Sequence, residues 1–158
     1  MTTIERDASP VWDLIEDQPM AMLVTHVGMG LDARPMAANV RRDEGLIYIL
    51  ANKDEDTDHQ VQDNREVLLT FQKDAAHVVV HGKAIAMENP GKVRELWNVF
   101  DKAWWDGPED PRIRLIAITP GRAEYWQSPG KLISYADMIL SAVTGKKPDA
   151  GHHGAVRL

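Results

Sequence analysis

In some short segments of this chain, hydrophobic and polar residues alternate with a two-residue period. In others, hydrophobic residues form brief uninterrupted runs. Both patterns predict strands rather than long helices. In residues 77–87, for example, His77 and His81 share one face while Val78 and Val80 share the other. The uninterrupted run LIYILA predicts a strand that is buried on both faces. The seven predicted strands cover residues 20–27, 33–42, 46–51, 67–71, 77–87, 112–119 and 123–127.

Residues 33–53 predict a hairpin that also carries candidate ligand-binding residues. The loop at residues 43–45 ends in Gly45, which is free to adopt a positive φ. Pro35 lacks an amide proton, so the first strand of the hairpin should leave backbone groups unpaired near Arg34. A ligand could use those groups.

Glycine and proline mark two further positions in the predicted sheet. Gly82 interrupts its strand where a bulge or a close backbone approach is expected. Pro120 and Gly121 predict a turn that pairs residues 112–119 with residues 123–127.

Three or four short helices are predicted from capping signals. The first three are expected to begin at Ser9 with Pro10 in the first turn, at Asp54 and continuing to about Asn64, and at Asn89 with Pro90 in the first turn. The last covers about residues 131–144, with Gly145 as its C-cap.

Two of these helices have an apolar face. In the third, the apolar positions are Val93, Leu96, Trp97, Phe100 and Trp104, which predicts one amphipathic helix. In the last, the positions expected to be buried are Leu132, Ile133, Ala136, Ile139, Leu140 and Val143. Residues 146–158 are interpreted as a polar tail.

The order of these elements predicts a β-rich α+β fold. The strands follow one another without regular crossover helices, which favours a closed or split β-barrel over a parallel sheet. We expect one domain in residues 1–158: a split β-barrel of about six or seven mostly antiparallel strands with three or four short helices and a core at about residues 9–145.

Composition narrows the functional classes. The chain has 158 residues, no cysteine and a formal net charge of −6. The absence of cysteine excludes thiolate catalysis and fits a reducing compartment, so we expect a cytoplasmic protein. Scattered basic residues on an acidic chain argue against nucleic acid as a partner, and no apolar run is long enough to predict a membrane helix.

The acidic segment at residues 54–58 does not predict a metal site. Its carboxylate spacing begins like a calcium loop, but His59 stands where glycine is required and Arg65 where glutamate is required. The histidines His77 and His81 lack an evident third ligand. No nucleophile and base motif occurs, so chemistry at this chain would depend on a cofactor.

Several segments together resemble one known family. They are ARPM, YILANKDEDTDHQVQDNREVLLTF, ELWN, AWW and AEYWQSPGKL, and the similarity covers about residues 9–145. They resemble the pyridoxamine 5'-phosphate oxidase-like superfamily, specifically its general stress protein branch. The resemblance implies a split-barrel homodimer that holds flavin mononucleotide (FMN) in a cleft at the dimer interface.

The resemblance also implies positions for the cofactor. Arg34, Pro35 and Met36 fall in the strand that lines the flavin ring, and Asn52 and Lys53 begin the segment that holds the phosphate. Independently of the resemblance, the hydroxyl of Thr57 is a further candidate phosphate ligand, and Trp105, next to a loop, and Trp126, near the end of the last strand, are candidate pocket walls. The resemblance itself brings only the region of Trp126 close to the flavin. Taken singly, Arg34 could instead form a surface ion pair with Asp32 or Asp43, Lys53 could be solvated, and the tryptophans could serve packing.

One segment departs from the family pattern. The family has a serine and a lysine at about the positions of Glu55 and Thr57, whereas this chain has four carboxylates, those of Asp54, Glu55, Asp56 and Asp58. Like charges there disfavour a phosphate.

Two functions therefore stay open. The first is an FMN-binding protein of the general stress type, acting as a flavin-dependent oxidoreductase on an unknown small molecule. The alternative is a non-catalytic split-barrel binding protein that has lost its hold on the FMN phosphate. A third possibility, a deazaflavin or haem protein, has no positive support in the sequence.

Overall fold

The computed structural model describes residues 4–128, 131–146 and 151–158. The strands in these residues are β1 Ile4–Glu5, β2 Met20–Val27, β3 Gly30–Ala37, β4 Asn39–Arg41, β5 Leu46–Asn52, β6 Glu66–Lys73, β7 Ala76–Met87, β8 Ile113–Gln127 and β9 His152–Arg157. The helices are α1 Ser9–Ile15, α2 Asp56–Asp63, α3 Pro90–Leu96 and α4 Lys131–Thr144, with a 3-10 helix at Val99–Ala103.

The sheet is organised around β8, which is long enough to pair with different strands along its length. Strands run in the order β1-β9-β8-β7-β6-β2-β3, and β5 joins β8 on the same side as β9. The first half of β8 pairs with β5 and the second half with β9. In the described residues every pair is antiparallel except β1 with β9. The sheet therefore divides along β8, and the predicted split-barrel α+β fold is confirmed.

Apolar side chains fill two regions. The main core includes Leu23, Ile49, Leu69 and Val80, all fully buried. A second cluster lies under α3, where Leu96 and Trp105 pack with residues of β5 and β8. Because β5 contributes to both clusters, it is apolar throughout its length, as its sequence predicts.

The predicted hairpin at residues 33–53 is only half correct. Its first strand is divided into β3 and β4, and only β4 pairs with β5. Strand β3 instead pairs with β2 across the tight turn at Gly28, whose φ is +57°. Because only two residues connect β2 to β3, these two strands pair with each other, and β3 does not pair with β5.

The predicted turn at Pro120 is wrong. Residues 112–119 and 123–127 belong to one strand, β8, and do not pair with each other. Pro120 lies opposite Gly82, where the register of β7 shifts. The proline therefore interrupts the ladder without reversing the chain, and the bulge predicted at Gly82 is confirmed.

The long amphipathic helix predicted from Asn89 to Trp104 is also wrong, although its cap is right. The Asn89 side chain accepts a hydrogen bond from the Lys92 amide, but helix α3 ends at Leu96. Asn98 then caps the 3-10 helix through a capping box with Asp101. The new cap competes with helix continuation, and it leaves Trp104 71% exposed.

Other helix ends are shifted by one or two residues. Ala8 and Glu55 occupy the N-cap positions of α1 and α2, in place of Ser9 and Asp54. Asp54 precedes the helix with a φ of +62°.

Helix α4 has the predicted bounds, and Gly145 ends it with the positive φ of a C-cap, +69°. However, Ile139, Leu140 and Val143 are exposed, at 68%, 61% and 81%. The predicted burial of Leu132, Ile133 and Ala136 concerns side chains outside the described part of the chain.

The predicted polar tail contains a strand that the sequence analysis missed. Strand β9 pairs with β8 on one side and with β1 on the other, and Ala155 and Val156 are fully buried. Three small or apolar residues are too few to give a periodic signal. The open second half of β8 supplies the pairing that makes this short segment a strand.

Candidate functional site

The loop that joins β5 to α2 brings together several of the predicted site residues. Asn52 accepts a hydrogen bond from Trp105 Nε1 at 2.9 Å and donates one to Glu55 Oε2 at 3.1 Å. A hollow of about 380 Å³ is lined by Asn52, Asp54, Glu55, Asp56 and Thr57. We call residues 52–57 the ligand loop; they comprise the last residue of β5, the connection and the first two residues of α2. Its exposed side chains are acidic, and Thr57 contributes the one hydroxyl.

A buried ion pair between Asp58 and Arg114 connects α2, just after the ligand loop, to β8. Asp58 is fully buried and lies 3.0 Å from Nε of Arg114 on β8. It accepts hydrogen bonds from the Asp54 amide at 2.9 Å and from Gln62 at 2.7 Å. Burial raises the pKa of Asp58, but the Asp54, Arg114 and Gln62 contacts outweigh this effect and hold the pKa below its usual value. Asp58 therefore stabilises the loop and is not free for a ligand.

Lys53 is paired rather than solvated. Its Nζ lies 2.5 Å from Oε1 of Glu88, and its amide donates to the Arg112 carbonyl at 2.7 Å. Lys53 lowers the pKa of Glu88, and Arg114 adds to this effect. The ammonium group is therefore already neutralised by a carboxylate of its own chain.

Arg34 lies on β3 and points to the side of the sheet where α2 packs. Its guanidinium donates to Thr25 Oγ1 at 2.9 Å and to Gln60 Oε1 at 2.6 Å. It also lies 2.9 Å from Oδ2 of Asp32, and its hydrogen bond lowers the pKa of that carboxyl. The ion pair with Asp32, one of the two alternatives given for this residue, is therefore present. Arg34 is held in one orientation, with 18% of its side chain exposed.

Of the two residues after Arg34, Pro35 is exposed to solvent and Met36 contacts the core. Pro35 is exposed and lies opposite Met22 of β2. Met36 is half-buried and packs against the main core. In the described residues no strand pairs with the outer edge of β3, so the backbone beside Pro35 is available.

The two tryptophans predicted to wall a pocket lie apart. Trp105 is 7% exposed and belongs to the second core cluster. Trp126 lies near the end of β8 and stacks on His153 of β9, with ring centroids 4.8 Å apart. The structure therefore joins Trp105 to the ligand loop through Asn52, but not Trp126.

The sequence analysis missed several residues that form hydrogen bonds or ion pairs at the site. They are Thr25, Gln60, Asp58, Glu88 and Arg114. Two of them carried a usable signal: Thr25 follows Ala21 and Leu23 on the buried face of β2, and Arg114 interrupts an apolar strand. A polar side chain at a buried position requires a hydrogen-bond or ion-pair partner, but the sequence does not show which residue provides it.

A groove of about 780 Å³ crosses β2, β6, β7 and β8 and contains none of the predicted site residues. It is lined in part by Arg65, Lys83 and Arg122, with Glu66 beside them. Arg65 follows the C-terminal end of α2, whereas the acidic ligand loop precedes its N-terminal end. The basic side chains of this groove and the acidic side chains of the ligand loop therefore lie near opposite ends of α2.

Neither a metal-ion cluster nor a membrane-spanning helix occurs in the described residues. No group of three or more histidine, aspartate or glutamate side chains in these ranges is arranged to hold a metal ion. Among the same residues, no helix combines the length and apolar character needed to cross a membrane.

Comparisons with solved structures identify the fold. A candidate general stress protein 26 from Jannaschia sp. CCS1 is 23% identical, with 94% of this chain and 96% of that chain covered and a TM-score of 0.74. General stress protein 26 from Bacillus anthracis str. Sterne is 22% identical, with coverage of 74% and 91% and a TM-score of 0.68. The general stress FMN/FAD binding protein from Xanthomonas citri is 24% identical, with coverage of 77% and 89% and a TM-score of 0.68.

Comparison by sequence gives the family. A search of curated proteins found no match. The family described as "Pyridoxamine 5'-phosphate oxidase like" matches residues 6–149, which is nearly the whole chain. Together with the split barrel built on β8, this match shows that the chain belongs to the pyridoxamine 5'-phosphate oxidase-like family.

Proposed function

We propose that this chain is a flavin-binding protein of the general stress type and that it acts as a flavin-dependent oxidoreductase on a small molecule. The observation that carries the proposal is Arg34, hydrogen-bonded to Thr25 and Gln60 beside the exposed Pro35 at the open edge of β3. Family membership and the name of the Xanthomonas citri protein, an FMN/FAD binding protein, support the choice of a flavin.

The open edge of β3 suits the ring of a flavin. An isoalloxazine ring has acceptors and a donor on its edge, which backbone amides and carbonyls can match. Unpaired backbone groups of β3 would orient the ring, and Arg34 would add a fixed positive charge. A bound flavin supplies the redox chemistry, so the chain needs no acid and base pair of its own.

The phosphate of FMN fits less well than the ring. Arg34, Lys53 and Thr57 are the residues that would hold it. Arg34 and Lys53 already pair with Asp32 and Glu88, respectively. The donor set therefore does not match a dianion.

A homodimer is part of the proposal. Large apolar side chains are exposed on β2 and β3, including Met20, Met22 and Leu31, and again on α4. Exposed apolar patches of this kind mark interaction surfaces. A second copy of the chain would cover them and complete a cleft beside β3.

We also propose a cytoplasmic location, from the lack of cysteine.

A second candidate function rests on the same ligand loop. With its two nearby cations paired and its exposed carboxylates facing the hollow, the chain could be a binding protein without redox activity. Such a protein would bind a small ligand in the cleft but would not turn over an electron donor.

A spectrum and a titration test the flavin proposal. The purified protein should show flavin absorption bands, or should quench the fluorescence of added flavin saturably at about one flavin per chain. Arg34→Ala should weaken binding, whereas Arg42→Ala, which removes a partly exposed cation paired with Asp13, should not. Equal affinities for these two variants would contradict the role given to Arg34.

Electron donors then separate the two candidate functions. Reduction of the bound flavin by a nicotinamide donor, followed by transfer to an acceptor, would support the oxidoreductase. A flavin that stays bound and oxidised with every donor and acceptor would favour the binding protein. Absence of any flavin binding would overturn the proposal.

A further inference from the structure

We infer that the ligand loop discriminates by charge, so that this chain prefers a flavin with an uncharged ribityl tail, such as riboflavin, over the phosphorylated flavin FMN. The inference rests on the proposed function, because it assumes that the flavin ring lies at β3 and that its tail reaches the loop. It concerns which flavin is bound, whereas the proposed function concerns whether a flavin is bound.

The first argument is the charge around the hollow. Asp54, Glu55 and Asp56 are exposed and line it. Within the described ranges, none of these three carboxylates forms an ion pair with a basic side chain. A phosphate dianion entering the hollow would meet three negative charges, and at a partly exposed surface such repulsion is weakened but not removed.

The second argument is that the cations proposed to hold the phosphate already have partners. The Lys53 ammonium pairs with Glu88, and the Arg34 guanidinium pairs with Asp32. Arg114 lies beneath the loop against the buried Asp58. A phosphate could recruit one of these cations only by separating it from its carboxylate, which adds a cost to binding.

The third argument concerns the start of α2, where amide groups could otherwise bind an anion. The Asp54 amide already donates to Asp58. Asp56 and Asp58 lie in the first turn and already balance the positive end of the helix dipole. The dipole of α2 is therefore partly offset by carboxylates of the chain itself, which weakens the attraction of this helix end for a phosphate.

The same groups suit a neutral polyol. Ribityl hydroxyls are hydrogen-bond donors, and an exposed carboxylate accepts such bonds strongly. Thr57 can both donate to and accept from a hydroxyl. The loop that repels a dianion can thus bind the tail of riboflavin without any rearrangement of its ion pairs.

The test compares two flavins on the full-length protein. Riboflavin and FMN are each titrated at low and at moderate salt, by quenching of flavin fluorescence and by calorimetry. Riboflavin should bind at least as tightly as FMN. The affinity for FMN should rise as salt screens the loop, whereas the affinity for riboflavin should change little.

A charge-neutralised variant isolates the loop. The triple change Asp54→Asn, Glu55→Gln and Asp56→Asn keeps side-chain shape, and asparagine tolerates the positive φ at position 54. It should tighten FMN roughly tenfold or more by removing the repulsion, and should not tighten riboflavin, whose hydroxyls lose charged acceptors. Asp58 is left intact because it stabilises the loop.

A matched control removes three carboxylates elsewhere. Asp17→Asn, Asp43→Asn and Asp74→Asn lie in loops at the ends of strands away from the ligand loop. This variant carries the same net charge as the first and should leave both affinities unchanged. An equal gain for FMN in both variants would assign the effect to net charge and overturn the inference.

The remaining outcomes separate this inference from the proposed function. If wild-type protein binds FMN tenfold more tightly than riboflavin, charge discrimination is overturned while flavin binding stands. If neither flavin binds, the proposed function falls and this inference falls with it.

Discussion

Single residues around the ligand loop divide into those that hold the chain together and those that face a ligand. Asp58 and Arg114 form a buried pair that joins α2 to β8, and Asp54, Glu55 and Asp56 face solvent above it. All four carboxylates looked alike in the sequence. Burial alone assigns Asp58 to stability and the other three to the surface that a ligand meets.

This division predicts a pH-dependent stability. The pKa of Asp58 in the folded chain is below the ordinary value of 3.8, so its stabilisation is complete above that pH and is lost as the pH falls through the lower, folded value. At pH 7, Asp58→Asn should cost roughly 3 kcal/mol, because it leaves Arg114 without its buried counter-ion. The difference from wild type should narrow below pH 3.8. Urea denaturation over a pH series measures both effects.

The exposed Asp56 in the same loop provides the control. Asp56→Asn should change the free energy of unfolding by no more than about 0.5 kcal/mol at any of these pH values. Equal denaturation midpoints for wild type and Asp58→Asn at pH 7 would contradict the structural role of the buried pair.

At the scale of elements, β9 shows how a short segment depends on its neighbours. It lies between β8 and β1, and its Gly154 lies opposite Tyr125, which is 1% exposed. A Cβ at position 154 would lie 2.5 Å from Cε1 of Tyr125 and 2.7 Å from Oε1 of Glu5. Glycine is therefore required there by close packing rather than by backbone conformation.

Gly154→Ala should destabilise the protein by about 1–3 kcal/mol, since Tyr125 is buried and has little room to move. Thermal unfolding followed by circular dichroism gives the measurement. Gly107→Ala is the matched control, because a Cβ at position 107 would meet nothing within 4 Å. A melting temperature for Gly154→Ala equal to that of Gly107→Ala would rule out the close contact.

At the scale of the whole molecule, the described structure leaves apolar surface uncovered in several places. Two of them are the outward side of β2 and β3 and helix α4, where Val143 is 81% exposed. A third is the 3-10 helix, where Phe100 is 81% exposed. A hydrophobic helix at the surface of a single chain has little to stabilise its outer face. A homodimer, as proposed, would cover the first two of these surfaces.

Val143→Asp should therefore weaken self-association by roughly tenfold or more, because a carboxylate would be buried without a partner. Sedimentation equilibrium over a range of protein concentrations measures this. Thr144→Asp adds the same charge at the next exposed position of the helix and should have a smaller effect. A wild-type protein that is monomeric throughout, or equal weakening in both variants, would exclude α4 from the interface.

Local signals predicted much of the fold. The bounds of β2 and α4 were predicted from apolar runs and a glycine stop, and the bulge at Gly82 and the Asn89 cap were also correct. These features depend on steric preferences of a few neighbouring residues. Pairing partners were less predictable, because β3 and β8 could each have formed a different hairpin with nearby residues.

The candidate site was predicted in outline but not in its contacts. The sequence placed Asn52 and Lys53 just before a helix that contains Thr57, and Arg34 beside a proline. It did not show that Glu88 pairs with Lys53, a contact between residues 35 positions apart. Ion pairs between distant segments have no local pattern, so they cannot be read from spacing.

The sequence by itself determined the β-rich class, the family resemblance, the acidic character of the ligand loop and the lack of any thiol chemistry. These depend on composition, periodicity and motif, which are properties of the chain alone. Tertiary structure decided which carboxylate is buried, which cations are already paired and that the C-terminal segment completes the sheet. Each of these is set by burial and by partners that only folding brings together.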